Sequence, residues 1–167
     1  MVEKAGPMSA RRTDRNREKT KSGKLLAVNI SSTKGTQKKN VGRAEILEGH
    51  GIKDDAHGGQ WHRQVSLLAQ ESIQKMREMG LDVGCGDFAE NITTQGLDLV
   101  HLPVGTCLRI GPSVVLEVTQ IGKECHTRCS VYYQAGTCVM PTDGIFARVI
   151  SGGPVRVGDT IEVIEGE

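Results

Sequence analysis

Apolar residues after Lys24 come in short runs punctuated by glycine, and the runs have two periods. Lys24-Leu-Leu-Ala-Val-Asn-Ile-Ser-Ser32 partly alternates and predicts a strand that opens the folded part. Arg43 to Leu47 predicts a second strand after the polar turn Gln37-Lys-Lys-Asn40. Gly51 to Arg63 is rich in Asp, His and Gly, with Trp61 its one bulky anchor, and reads as a loop. A helical pattern occupies residues 68–79, where Leu68, Ile73, Met76 and Met79 recur at three- to five-residue steps. Glu71 and Lys75 are spaced as an i,i+4 pair, and Gly80 can end the helix. Beyond Gly80 the helical period disappears. Cys107-Leu-Arg-Ile110, Val114 to Ile121 and Ile145 to Ile150 are β-rich, with Gly111-Pro112 placed for a tight hairpin. Val155 to Ile164 reads as strand, Gly-Asp turn, strand. The pattern predicts a mainly β fold with one or two short helices, closed into a barrel that hides its strand edges.

Composition narrows this picture. A chain of 167 residues forms one domain with a substantial core, and at 3% aromatic content that core comes from Val, Ile, Leu and Met. The formal net charge of +1 conceals an asymmetry: residues 1–24 hold eight Lys/Arg and three Asp/Glu, a net of +5, which leaves −4 on the remainder. Residues 1–23 are too poor in apolar groups to fold and are expected to form a disordered basic tail, with the domain spanning 24–167. The tail reads first as a solvated extension, and contact with nucleic acid or acidic membrane is the lesser reading. No segment has transmembrane length or signal-peptide character, and the five cysteines, an odd number, point to free thiols in a reducing cytoplasm.

Three of those cysteines fall within fourteen residues, Cys125, Cys129 and Cys138, interleaved with Lys123, His126 and Arg128 and followed by Arg148. Nearby cations favour the thiolate, the form that attacks electrophiles and binds soft metals, and they would hold an anionic ligand beside the sulfur. A structural zinc site of three Cys and one His is a competing reading, weakened by the lack of a second close pair. Burial as small apolar residues suits Cys107 and Cys138 better than Cys125, whose neighbours are polar. A Cys–His nucleophile would need His57 or His62 from elsewhere in the chain. Asp54-Asp-Ala-His-Gly-Gly59 with His62-Arg-Gln64 gathers glycines around Arg63, which could clamp a phosphate. Glu90 and Asn91 offer an acid and an amide for a heterocycle, or a plain strand end with an Asn-capped turn.

Taken together, Asp54-Asp-Ala-His-Gly-Gly, His62-Arg-Gln-Val-Ser-Leu-Leu, Gly86-Asp-Phe-Ala-Glu-Asn-Ile-Thr-Thr, Ile121-Gly-Lys-Glu-Cys-His and Met140-Pro-Thr-Asp-Gly-Ile-Phe-Ala-Arg-Val occur in this order, ahead of Gly152-Gly-Pro-Val-Arg-Val-Gly-Asp159. This series resembles the MOSC domain, the family of the molybdenum cofactor sulfurase C-terminal domain, in its short stand-alone form. The resemblance implies a β-rich barrel of the MOSC and pyruvate-kinase-barrel kind that binds molybdenum cofactor and serves in its delivery, sulfuration or maturation. The family cysteine maps to Cys125, as metal ligand or persulfide carrier, with Cys129 as rival because this chain has Cys-His-Thr-Arg-Cys where larger members have Cys-x-x-Cys. His57 belongs to the matched loop and is expected to line the cofactor pocket; on physical grounds Arg63, Arg128 and Arg148 suit the cofactor phosphate and Glu90 and Asn91 the pterin edge, with Lys123 and His126 as further cofactor contacts beside Cys125. The partners implied by the resemblance are molybdenum cofactor biosynthesis proteins or molybdoenzymes. The chain has no aminotransferase-like domain and therefore no pyridoxal phosphate site of its own. Reduction of N-hydroxylated compounds with a partner electron donor is the enzymatic alternative, and a zinc-stabilised binding module the non-catalytic one.

Overall fold

The computed structural model describes residues 21–34, 36–122 and 143–164. Eleven strands and one complete helix lie among them: β1 (Ser22–Ile30), β2 (Lys39–Asn40), β3 (Arg43–Leu47), β4 (Gly51–Ile52), β5 (Val65–Ala69), α1 (Gln70–Glu78), β6 (Ile92–Gln95), β7 (Cys107–Ile110), β8 (Val114–Ile121), β9 (Ile145–Ser151), β10 (Gly153–Arg156) and β11 (Thr160–Ile164). Hydrogen bonding runs β11-β7-β8-β9-β5-β6-β1, and β1 pairs back to β11, closing a seven-stranded barrel; β2 adds to β1 outside the ring. β5 and β6 are parallel, joined by a crossover that contains α1, and the other pairs are antiparallel. A separate sheet, β10-β3-β4, lies beside the barrel.

Alternation sorts the strand side chains into two layers. Leu25, Val28, Val65, Leu67, Ile92, Leu108, Ile110, Leu116, Val118, Ile145, Ala147 and Ile161 join one cluster that fills the barrel. On the outer face, Leu68 and Phe146 pack with Ile73, Met76, Val83 and Phe88 as a second cluster under α1. Between these layers, a stretch of outer wall built from β1, β5 and β6 is polar yet buried: Asn29, Ser66, Asn91 and Thr93.

Several expectations shift. β1 begins at Ser22 rather than Lys24, because Ser22, Gly23 and Lys24 pair with Glu162, Ile161 and Thr160 to close the barrel. The predicted helix is shorter by its start: residues 65–69 are β5, and all five are buried, so no alternation marks them. Glu71 and Lys75 do not pair with each other; Glu71 accepts the Gly96 N–H at 2.9 Å and Lys75 reaches Asp143 at 3.3 Å. Gly80 ends the helix with φ +92°. Cys107 is half-buried, not a core residue. No helix among the described residues is long and apolar enough to cross a membrane.

Candidate functional site

The loop from Lys53 to Gln64 crosses the polar stretch of the outer wall, and its backbone turns at Asp54, held at φ +71°, an energetically unfavourable region for a residue with a side chain. The next residue, Asp55, is buried and paired with Lys38 at 2.7 Å, both side chains fully excluded from solvent. Lys38 Nζ also donates to Ser31 Oγ at 3.0 Å and lies 3.0 Å from His57 Nδ1. An ammonium has three donors and no lone pair, so all three are engaged and Nδ1 must accept. The ring proton of His57 therefore sits on Nε2. The Ser31 hydroxyl donates to the Thr33 carbonyl at 2.9 Å, which leaves its oxygen lone pairs free to accept from Lys38. Burial by itself would raise the Asp55 carboxyl, but hydrogen bonds from Lys38, Asn91 and the Ser31 amide outweigh it and hold the group below the usual carboxylate range.

The wall behind this network is fixed by Asn91 and Glu90, neither of which has any exposed surface. Asn91 Oδ1 accepts from the Ser66 amide at 3.0 Å, and its Nδ2 donates to the Asn29 carbonyl at 3.1 Å. Glu90 accepts from the Gly86 amide at 2.9 Å, the Phe88 amide at 3.3 Å and the Thr93 hydroxyl at 2.6 Å, while burial pushes its carboxyl up. These two residues, expected against a heterocycle, hold the Gly86–Asn91 loop in place. That loop docks on Lys38, whose N–H bonds the Gly86 carbonyl at 2.8 Å. The approach admits only glycine: a Cβ at residue 86 would lie 2.1 Å from the Lys38 carbonyl oxygen.

A cationic-aromatic stack rims the loop. Trp61 Nε1 donates to the His57 carbonyl at 2.8 Å, which anchors the indole to the inner network. The Arg63 guanidinium lies 4.6 Å from the Trp61 ring centre and 5.5 Å from that of Phe146, and Lys34 Nζ is 5.4 Å from Trp61. Arg63 Nε is buried with no hydrogen-bond partner among the described residues. Beside it, His62 Nε2 is 2.8 Å from Gln120 Oε1, and Gln120 donates to the Gly122 carbonyl at 2.8 Å. Gly122 N–H in turn bonds the Gly144 carbonyl at 2.7 Å, and Asp143 accepts from Ser72 at 2.7 Å. The two ends of the stretch 123–142 are thus clasped where β8 and β9 meet, next to the His62 contact.

Lys123, Cys125, His126, Arg128, Cys129 and Cys138 lie outside the described residues. Of the other expected site residues, His57 and Arg63 sit on the same loop, with Glu90 and Asn91 beneath it. Arg148 lies on β9 two residues after Phe146 and is paired with Glu117 at 2.6 Å. Lys34, Lys38 and Trp61 enter the site unanticipated as functional groups. Among the described residues no cluster of three or more His, Cys, Asp or Glu is placed to hold a metal ion.

A mixed seven-stranded barrel with a strained Asp-Asp-Ala-His-Gly-Gly loop over a polar outer wall defines a small β-barrel class with an external, loop-built site. The MOSC domain family model matches residues 54–162, and the chain belongs to that family. Its fold is shared with the YuaD protein from Bacillus subtilis, at TM-score 0.71 and 22% identity over 85% of this chain and 95% of that one. YiiM from Geobacillus stearothermophilus superposes with TM-score 0.63 at 17% identity, covering 86% of this chain and 75% of its own. YiiM from Escherichia coli gives 0.60 at 18% identity, covering 85% and 70%. No curated protein matches the chain.

Proposed function

We propose that this MOSC domain binds molybdenum cofactor in cofactor delivery, sulfuration or maturation, with Cys125 supplying the thiolate. One observation carries the reading: Arg63, stacked between Trp61 and Phe146 with a buried Nε that has no hydrogen-bond partner among the described residues, lies next in sequence to His62, whose Gln120 contact adjoins the clasp at Gly122 and Gly144. The donor set suits a pterin that carries a phosphate. Arg63 and Lys34 would hold the phosphate, and the Trp61 and His57 rim would border the pterin. The dithiolene-bound molybdenum, when present, supplies the sulfur-transfer or redox chemistry. This chain's own residues position that group: Lys38 holds His57 in its Nε2–H form, and Asn91 and Glu90 keep the loop beneath it rigid.

The test is incubation of wild type, Cys125→Ser, Cys129→Ser and Arg63→Ala proteins with isolated molybdenum cofactor, followed by assay of bound molybdenum and pterin. Cys125→Ser is expected to lose molybdenum while keeping its fold, and Cys129→Ser to retain it. Arg63→Ala should weaken pterin retention roughly ten- to a hundredfold, as for one charge-assisted hydrogen bond. Equal molybdenum retention by wild type and Cys125→Ser removes the thiolate from the site. Stoichiometric zinc in wild type, with no cofactor uptake, overturns the reading.

A further inference from the structure

On the accessory sheet, Arg43 of β3 lies directly opposite Arg156 of β10. The pair is of the non-hydrogen-bonded kind, because the Arg156 N–H goes to Asp159 Oδ2 at 3.0 Å and its carbonyl accepts from the Asp159 amide at 3.1 Å. Such pairs bring the two side chains closest, and like charges placed this way repel. Arg156 has partial compensation from Asp159, 3.8 Å away. Arg43 has no ion-pair partner among the described residues. Both arginines border an open groove of about 600 Å³, with Ala44, Pro112 and Pro154 on its apolar side and the carboxylates of Glu45 and Asp159 among its lining. The volume is that of an ordinary small-molecule site. Its walls are held from two directions: the Gly111 amide of the β7–β8 turn bonds the Thr160 carbonyl at 3.0 Å, and Asp159 caps the end of β10.

We infer that this groove is a second ligand site, taking an amphipathic molecule with an apolar body and one anionic group, a carboxylate or phosphate, clamped between Arg43 and Arg156. The anion would supply the ion-pair partner that Arg43 lacks among the described residues and add to the Asp159 contact of Arg156, and the apolar body would cover the proline-lined floor. A single anionic group is favoured over a polyanion because the carboxylates of Glu45 and Asp159 both line the same groove. Strand addition is disfavoured here, since Pro154 offers no N–H along the edge of β10 and Arg156 is already bonded. Nothing in this inference depends on molybdenum cofactor.

Isothermal titration of the full chain with 1-naphthyl phosphate and with 1-naphthaleneacetate, using uncharged 1-naphthalenemethanol as reference, tests it. One-site saturable binding of at least one anion is expected, and whichever anion binds tighter identifies the source of the charge. Affinity should fall tenfold or more in Arg43→Gln and in Arg156→Gln, and stay unchanged in Arg109→Gln, an arginine already paired with Glu162. Without ligand, Arg43→Gln should melt no lower than wild type, since it removes a repulsion; a purely structural role would lower it. Failure of both anions to bind, equal binding of the uncharged compound, or affinity unaffected by both groove variants would overturn the inference.

Discussion

Lys38 is the residue whose change should be felt furthest. Its ammonium is excluded from solvent and bonds Asp55, Ser31 and His57, so removing it strands a buried carboxylate. Breaking one side of a buried pair costs about 3–5 kcal/mol, and Lys38→Met is expected to fall in that range by urea denaturation. Adding Asp55→Asn to Lys38→Met should recover part of the loss, as expected for directly coupled partners; additive losses would show the two do not interact. The pH dependence follows from the lowered pKa of Asp55. Its contribution is present above the unfolded carboxylate value of about 3.9 and is lost as pH falls through the lower folded value. In Lys38→Met burial then dominates, so the acid-side loss should shrink. Lys38 gave no signal in the sequence, because a lysine in a polar turn reads as solvated. Asn91 and Glu90 were legible through their motif, but their complete burial depends on which strands pack around them.

At the scale of elements, three of the four stripe positions, Leu68, Ile73 and Met76, pack into one cluster, and the fourth, Met79, does not. Met76 is 1% exposed in the cluster beneath α1, whereas Met79, read as part of the same face, is 55% exposed at the helix end. Met76→Ala is therefore expected to cost about 2–5 kcal/mol, and Met79→Ala to stay within about 0.5 kcal/mol. Thermal melts of the two single variants separate these values, and equal losses would mean that α1 docks in another rotation. The helix start, read at Leu68 and found at Gln70, has a physical source. Leu68 belongs to the strand entering α1, so a three- to five-residue rhythm ran across a strand-helix junction. By contrast β3, β7 and β8 match their predicted limits, because each alternates cleanly between barrel or sheet interior and exterior.

For the whole molecule, barrel closure is the decisive contact. The β1–β11 pairing begins at Ser22, and the Val163 amide bonds the Lys21 carbonyl at 2.8 Å. A chain lacking residues 1–20 should keep the wild-type melting temperature, while one lacking residues 1–24 loses every β1–β11 partner on the β1 side and should melt markedly lower. A large drop already at the shorter truncation would show that the basic tail stabilises the barrel.

By itself the sequence determined a mainly β fold, because side-chain period and turn glycines are local signals, and the ordered motifs carried the resemblance to the MOSC family. Tertiary structure alone decided which residues stand together. Lys38 meets Asp55 and His57 across a loop, Arg63 meets Phe146 across the wall, and Arg43 meets Arg156 through strand register. Each of these contacts joins residues separated by 17 or more positions or placed on different strands, and no periodicity along a chain encodes such a partner. The same reason sets β10 and β11 apart: one short Gly-Asp turn leads from the accessory sheet into the barrel, a choice made by where their apolar faces find cover.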